Sequence, residues 1–292
     1  SEDIAAVLEN NTSITLTFNN ELSGQGGIKF RKGARTIGDD GTETKAMALK
    51  GIQFGLFRAD ETEFTVEKAV QTATSDASGY VTFYPVEASQ DGGTRYIVRE
   101  VGNEGKNYYQ DPTSYTVTVE SGEIATLNVT ETDPDNGELA QLYNEINNAS
   151  VTLTKLLQDD NEVAQAVPSG RRGEFSKAFQ LQKNDNGSWE NVGTAQSLPT
   201  SGTDARITWE SIQRRDQATG EYISYRIVET LPDGYSAAAS GNQVDGEPAS
   251  ISKPAENQVA IEFSFKPGSD NKLKNTAVTL VNTGTGRLTV SK

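Results

Sequence analysis

The 292-residue chain has no cysteine, no histidine and a single methionine. Without cysteine there are no disulfides, thiolate metal sites or thiol nucleophiles. Without histidine, Ser-His-Asp and Cys-His catalysis and most zinc sites are excluded. Long apolar runs are missing too. No stretch approaches the roughly 18 apolar residues of a membrane span, and the N-terminus has no apolar signal-peptide core. Any targeting segment is therefore expected outside this chain. Positive charge is scarce: 26 Lys and Arg stand against 41 Asp and Glu, a net charge of −15. A phosphate backbone would be repelled, which argues against a nucleic-acid partner, and the acidity reads as a device for solubility. No cofactor is implied. The acidic segments Asp133-Pro-Asp-Asn-Gly-Glu138 and Asp159-Asp-Asn161 lack the oxygen spacing of an EF-hand loop. They are expected as solvated turns, and no metal site is expected.

What the chain does have is strand pattern. Alternating runs recur: Ile14–Phe18, Tyr80–Tyr84, Tyr96–Val98, Tyr115–Val119, Val151–Lys155, Tyr225–Val228 and Val278–Leu280. Turn signals such as Asp91-Gly-Gly93, Asn136-Gly137, Asn186-Gly187 and Asp233-Gly234 separate them. Short punctuated strands predict an all-β sandwich or barrel. The only helix-like piece lies near Gly137–Ile146, and its end still reads as a strand.

At roughly 100–200 residues per domain the length suits two domains, and the runs repeat in order. Residues 28–32 (Ile-Lys-Phe-Arg-Lys) are followed by Gly51–Phe57, then Tyr96-Ile-Val-Arg-Glu100, then Gln141-Leu-Tyr-Asn144. Residues 151–155 (Val-Thr-Leu-Thr-Lys) are followed by Phe179–Lys183, then Tyr225-Arg-Ile-Val-Glu229, then Val278-Thr-Leu-Val-Asn282. One domain is expected over 23–148 and another over 149–284, joined so tightly at Asn147-Asn-Ala-Ser150 that they should be semi-rigid. Residues 1–22 are expected as the last strand of a preceding domain or as an N-terminal extension. Residues 285–292 are expected as a linker and the start of a following domain. Asn20 and Lys292 sit where the repeat would place them, so the chain reads as cut from a longer array. Ordinary terminal extensions are the alternative.

Residues of equal parity share a face of a strand. Lys32 therefore joins Ile28 and Phe30; Lys155 joins Val151 and Leu153. Glu100 joins Tyr96 and Val98; Glu229 joins Tyr225 and Ile227. Asn144 joins Leu142; Asn282 joins Val278 and Leu280. A single charge at a strand end can reach water by snorkelling. Three in the same order in both halves point instead to a buried trio. Burial lowers the pKa of lysine and raises that of glutamic acid. A neutral amine can then attack the asparagine carbonyl while the protonated acid polarises it and shuttles protons to departing ammonia. The product is a side-chain amide, formed once by proximity.

Tyr225-Arg-Ile-Val-Glu-Thr-Leu-Pro-Asp-Gly-Tyr235 resembles the E-box of pilin and adhesin modules, one residue shorter than usual. Val151–Lys155 resembles the first strand of Cna B-type domains. Gly51–Phe57 with Ser75–Phe83 resembles the corresponding region of Spa-type pilin modules. The resemblance spans nearly all of residues 23–284 and implies Ig-like or prealbumin-like sandwiches of a Gram-positive surface adhesin or pilin. It implies isopeptide bonds Lys32–Asn144 and Lys155–Asn282, promoted by Glu100 and Glu229. The first half departs from the pattern: Val101-Gly102 follows Glu100, and no Pro-x-Gly-Tyr appears. Lys29 is its alternative donor.

The resemblance further implies a wall-anchored extracellular stalk or pilus module. Its partners would be other pilus or adhesin subunits, and host extracellular matrix if the chain is itself adhesive. It would not be an enzyme beyond its own cross-linking; a glycosidase-like carboxylate pair is a third reading, but no motif singles one out. Leu198-Pro-Thr-Ser-Gly202 resembles a sortase signal without the apolar stretch and basic tail, and is expected as a loop. Arg171-Arg172 and Arg214-Arg215 are expected as loop charges.

Overall fold

The computed structural model describes residues 23–38, 40–103, 107–159 and 162–284. The expected strands at 14–20 and 286–292, with Asn20 and Lys292, lie outside the described residues.

Alternating β-branched and aromatic residues favour a pleated, half-buried surface, and the described chain is built almost wholly from strands. The first half contains β1 (Ser23–Ile37), β2 (Glu43–Ala46), β3 (Gln53–Arg58), β4 (Gln71–Thr74), β5 (Tyr80–Ser89), β6 (Thr94–Gly102), β7 (Ser114–Val119), β8 (Ile124–Ala125), β9 (Thr132–Asp133) and β10 (Asn136–Glu145). The second contains β11 (Asn148–Gln158), β12 (Ala164–Ala166), β13 (Phe179–Asp185), β14 (Ser188–Asn191), β15 (Arg206–Gln213) and β16 (Ser224–Thr230). It closes with β17 (Tyr235–Ala237), β18 (Gln243–Val244), β19 (Glu247–Pro248), β20 (Ile251–Ser252), β21 (Gln258–Ser264) and β22 (Thr276–Gly284). Short 3-10 turns at Val66–Lys68 and Ser169–Phe175 carry no sequence pattern long enough to foresee.

Each half is a sandwich of two sheets. In the first, the sheet β2-β1-β10-β9, with β5 and β8 also on β1, faces the sheet β4-β3-β6-β7. In the second, β12-β11-β22-β18-β19, with β15 and β17 attached, faces β14-β13-β16-β21-β20. The apolar inward faces form two separate cores. One gathers Ile28, Phe30, Phe54, Val81, Phe83, Val98 and Leu142; the other gathers Val151, Leu153, Phe175, Phe179, Ile227 and Leu280. Burial of this kind is worth roughly 1.5–3 kcal/mol per large side chain and sets which face of each strand turns inward.

Most pairings are antiparallel, but the first and last strand of each half run parallel side by side: β1 with β10, and β11 with β22. The segment read as partly helix-like is the whole of β10. The alternating burial from Leu142 to Glu145 and the parallel pairing to β1 override the weak helical pattern.

Candidate functional site

The parallel pairing sets the site. In the first sandwich Lys32 on β1 lies opposite Leu142 and Ala34 opposite Asn144, so Asn144 is two residues beyond the lysine's partner. In the second, Lys155 lies opposite Leu280 and Leu157 opposite Asn282, the same offset. Two residues return a strand to the same face, so lysine and asparagine converge inward in both. The glutamates come from the facing sheets. Glu100 pairs in register with Phe54, and Glu229 with Phe179.

The contacts are close. Lys32 Nζ donates to Asn144 Oδ1 at 2.5 Å and lies 3.4 Å from Glu100 Oε2. Asn144 Nδ2 donates to Glu100 Oε1 at 2.9 Å. Lys155 Nζ lies 3.1 Å from Glu229 Oε2 and 3.3 Å from the Leu280 carbonyl. Asn282 Nδ2 donates to Glu229 Oε1 at 2.7 Å, while Asn282 Oδ1 is buried without a donor. All six residues are at most 2% exposed. Aromatic faces complete the walls: Lys32 Nζ is 5.6 Å from the Phe54 ring centre and Lys155 Nζ is 5.9 Å from that of Phe175.

Burial costs a charged group heavily unless it is paired. It pushes the Lys32 ammonium down and the Glu100 carboxyl up to about 7, each against the pull of the other's charge. In the second cluster burial takes Lys155 down to about 8 and raises Glu229. These shifts favour a neutral amine beside a protonated acid, with a carboxamide bonded to that acid. The arrangement suits acyl transfer within the protein.

Turn chemistry holds the lysine strand. The Lys32 amide donates to the Gly79 carbonyl at 2.7 Å. Gly79 has φ +84°, and a Cβ there would lie 2.4 Å from the Lys32 carbonyl oxygen. Only glycine suits both demands. Asp76 closes the same turn by accepting from the Ser78 and Tyr80 amides. The alternative donor Lys29 lies on the opposite face of β1, its ammonium 4.5 Å above the Tyr80 ring, away from Asn144.

A family model described as the SpaA prealbumin-like fold domain matches residues 39–133. Over that stretch the chain is similar to this family. The SpaA-type match runs from the strand after β1 to β9; it includes Glu100 but neither Lys32 nor Asn144. Among solved structures, the chain is similar to the Bacillus anthracis TIE protein (14% identity, TM-score 0.31, 89% of this chain and 34% of that one). It is similar to a streptococcal ancillary pilin (15%, 0.32, 90% and 63%). It is also similar to GBS52, the minor pilin of Streptococcus agalactiae (14%, 0.31, 91% and 99%). The chain thus spans about a third of the TIE protein and under two thirds of the ancillary pilin. No curated protein matches it.

Outside the clusters the structure corrects several expectations. Arg172 is no loop charge: at 3% exposure it donates to the carbonyls of Val167, Pro199, Ser201, Gly202 and Thr203. The sortase-like segment is a loop, as expected, and its carbonyls serve as this socket, with Leu198 buried. Arg214 is 1% exposed, donates to the carbonyls of Asn148 and Lys274, and is pushed down to about 10 by burial. Arg215 is half-buried, with Nε on Glu145 Oε2 at 2.9 Å. Arg171 alone reaches the surface; it pairs with Glu174 at 3.5 Å. Asp133 is fully buried rather than a solvated turn, and accepts from Arg31 Nη1 at 2.6 Å and the Tyr80 hydroxyl at 2.9 Å. In the other acidic turn Asp160 and Asn161 lie outside the described residues. Among the described residues no cluster of acidic side chains could hold a metal ion, and no helix is long and apolar enough to cross a membrane.

One group near the first cluster carries no sequence signal. Asp111, in the connection from β6 to β7, accepts from the Thr113 amide and hydroxyl and from the Tyr115 hydroxyl at 3.1 Å. Its charge pulls Lys32 and Glu100 upward, after the larger effects of burial and of each on the other. An isolated loop aspartate has no periodicity to mark it.

Proposed function

We propose that the chain is a load-bearing stalk or pilus module of a bacterial surface adhesin, two domains meeting near residue 148, each closed by its own Lys–Asn amide. The observation that carries this reading is the recurrence of one buried Lys-Glu-Asn arrangement, with the same strand offset, in both sandwiches. In each, the neutral lysine nitrogen bonds to the asparagine Cγ and the Cγ–Nδ2 bond breaks. A lysine proton passes through the glutamic acid to the leaving nitrogen, and ammonia departs. Glu100 and Glu229 end as they began. Fold-imposed proximity supplies much of the rate.

The mechanical consequence follows from topology. Pulled from its ends, a sandwich is loaded through its first and last strands. A covalent bond from β1 to β10 carries that load directly and removes the loop between Lys32 and Asn144, a sequence separation of 112, from the path. With no disulfide available, such a bond is what keeps an extended extracellular protein from lengthening. Cell-surface location and fibre partners belong to this same reading.

Single-molecule pulling of the full chain tests it. Linked domains should show no unfolding step. Release of the Lys32–Asn144 loop would add about 380 Å at roughly 3.4 Å per residue. Steps of that size in the native chain would contradict the assignment.

A further inference from the structure

The two clusters differ in what closes them off from water. The second is sealed by its own sandwich: Lys155, Glu229 and Asn282 are all 0% exposed. The first sits at the end of its sandwich beside the other half, next to a cavity of about 190 Å³. Arg35, Tyr109, Asp111, Asn144, Glu145 and Arg215 line it. Five of those come from the first sandwich; Arg215 comes from the second.

Residues 107–113 cover this end of the first cluster. Gln110 Nε2 donates to the Glu100 carbonyl at 3.2 Å, and the Tyr109 amide donates to the Glu145 carbonyl at 2.8 Å. The outer side of the same segment is held by the second sandwich. Gln217 Nε2 donates to the Tyr108 carbonyl at 3.1 Å, and Gln217 Oε1 accepts from the Gln110 amide at 3.4 Å. The Arg215 guanidinium lies 5.1 Å from the Tyr109 ring centre. Gly220, at φ +75°, lets the Tyr109 hydroxyl come so near that a Cβ would sit 2.4 Å from it. Arg215 also binds Glu145, next to Asn144, and Arg35 binds that carboxylate from the first sandwich at 3.0 Å.

Burial is the largest cause of both shifts in the first cluster. Water admitted at its open end would restore the charged pair, which cannot react. We propose that the second domain completes the first domain's reaction centre. Arg215 and Gln217 are positioning residues: they press the 107–111 segment over Asn144, keep the Lys32–Glu100 pair neutral, and leave a cavity of a size to take up the departing ammonia. The inference rests on the cross-linking reading above. It adds that linkage in the first domain depends on docking of the second, while the second links unaided.

The test uses the full chain made by cell-free synthesis and sampled over time. Peptide mapping follows the Lys32–Asn144 and Lys155–Asn282 linkages separately in the same molecules. In Arg215→Ala/Gln217→Ala the first linkage should form about tenfold more slowly, the effect of one pKa unit on either group. The second should form at the wild-type rate, which also shows that the second domain folds. The pH profile of the first linkage should broaden as the two titrations of its pair move apart. Gln217→Ala alone, which removes only two exposed contacts, should show the same change in smaller degree. An unchanged first linkage, equal slowing of both, or slowing with an unaltered pH profile would overturn the proposal. Absence of both linkages in the wild type would instead sink the cross-linking reading itself, and this inference with it.

Discussion

The two sandwiches reach one arrangement from different surroundings. The second has the motif after its glutamate, Thr230 through Tyr235, one residue short; the first has Val101-Gly102 and nothing resembling the rest. Yet Lys32, Glu100 and Asn144 meet as closely as Lys155, Glu229 and Asn282. What both share is a parallel first and last strand with the asparagine two residues past the lysine's partner. The comparison teaches that strand register and burial assemble the cluster, while the residues after the glutamate serve local packing. In the second sandwich that packing is visible: the Tyr235 ring packs at a tilt against Phe175, 5.0 Å between ring centres, and the Phe175 ring also walls Lys155. A second contrast concerns charge. Asp111 acts on the first pair, whereas among the described residues Glu229 is the charge that acts on Lys155.

The largest expected effect comes from removing an acid. Glu229→Ala should abolish the second linkage and leave the first intact, and Glu100→Ala should do the reverse. Each bond closes a loop of over a hundred residues, so its loss should cost about 5 kcal/mol in the chain-entropy account used for disulfides. Peptide mapping with denaturant titration reads both. A variant that still forms the bond in its own domain would break the assigned equivalence of the two acids.

A smaller effect should appear in the first domain when the lysine is replaced. In Lys32→Met no bond can form, and Glu100 loses the positive charge that holds it down, so its carboxyl stays at or above about 7 against an ordinary 4.5. The folded state then binds more protons than the unfolded one, so stability falls as pH rises. The contribution is complete below about pH 4.5 and is lost as pH rises through 7. At roughly 1.4 kcal/mol per unit this amounts to about 3 kcal/mol. Melting temperatures of the variant from pH 5 to 8 should fall steadily; a flat profile would mean that Glu100 is not held in the environment described.

How far the sequence discloses this differs by level. The clusters were legible because strand parity is a strict rule: charged residues in phase with Ile28, Phe30, Val151 and Leu153 must turn inward. The fold class was legible for the same reason. Arg172 and Arg214 were not, because their partners are backbone carbonyls of distant loops, and carbonyls leave no trace in residue identity. Asp133 reads as a turn residue for a different reason: its side-chain partner Arg31 lies 102 residues earlier. The hold of Gln217 on the 107–111 segment depends on how two sandwiches dock, which no single-strand pattern encodes.

The smallest effect sharpens the comparison most finely. Thr230, the residue that distinguishes the second motif from Val101, is exposed; among the described residues its hydroxyl accepts from Gln258 Nε2 alone, at 3.4 Å. Thr230→Val should leave the second linkage intact and change stability by no more than about 0.5 kcal/mol. Loss of the linkage would show that the motif, rather than register, makes the site.

The central claim is tested most directly by the intact mass of the purified chain. Two Lys–Asn amides make it lighter than its sequence by two molecules of ammonia, and digestion should yield branched peptides joining Lys32 to Asn144 and Lys155 to Asn282. A mass equal to that of the unmodified sequence would contradict the account.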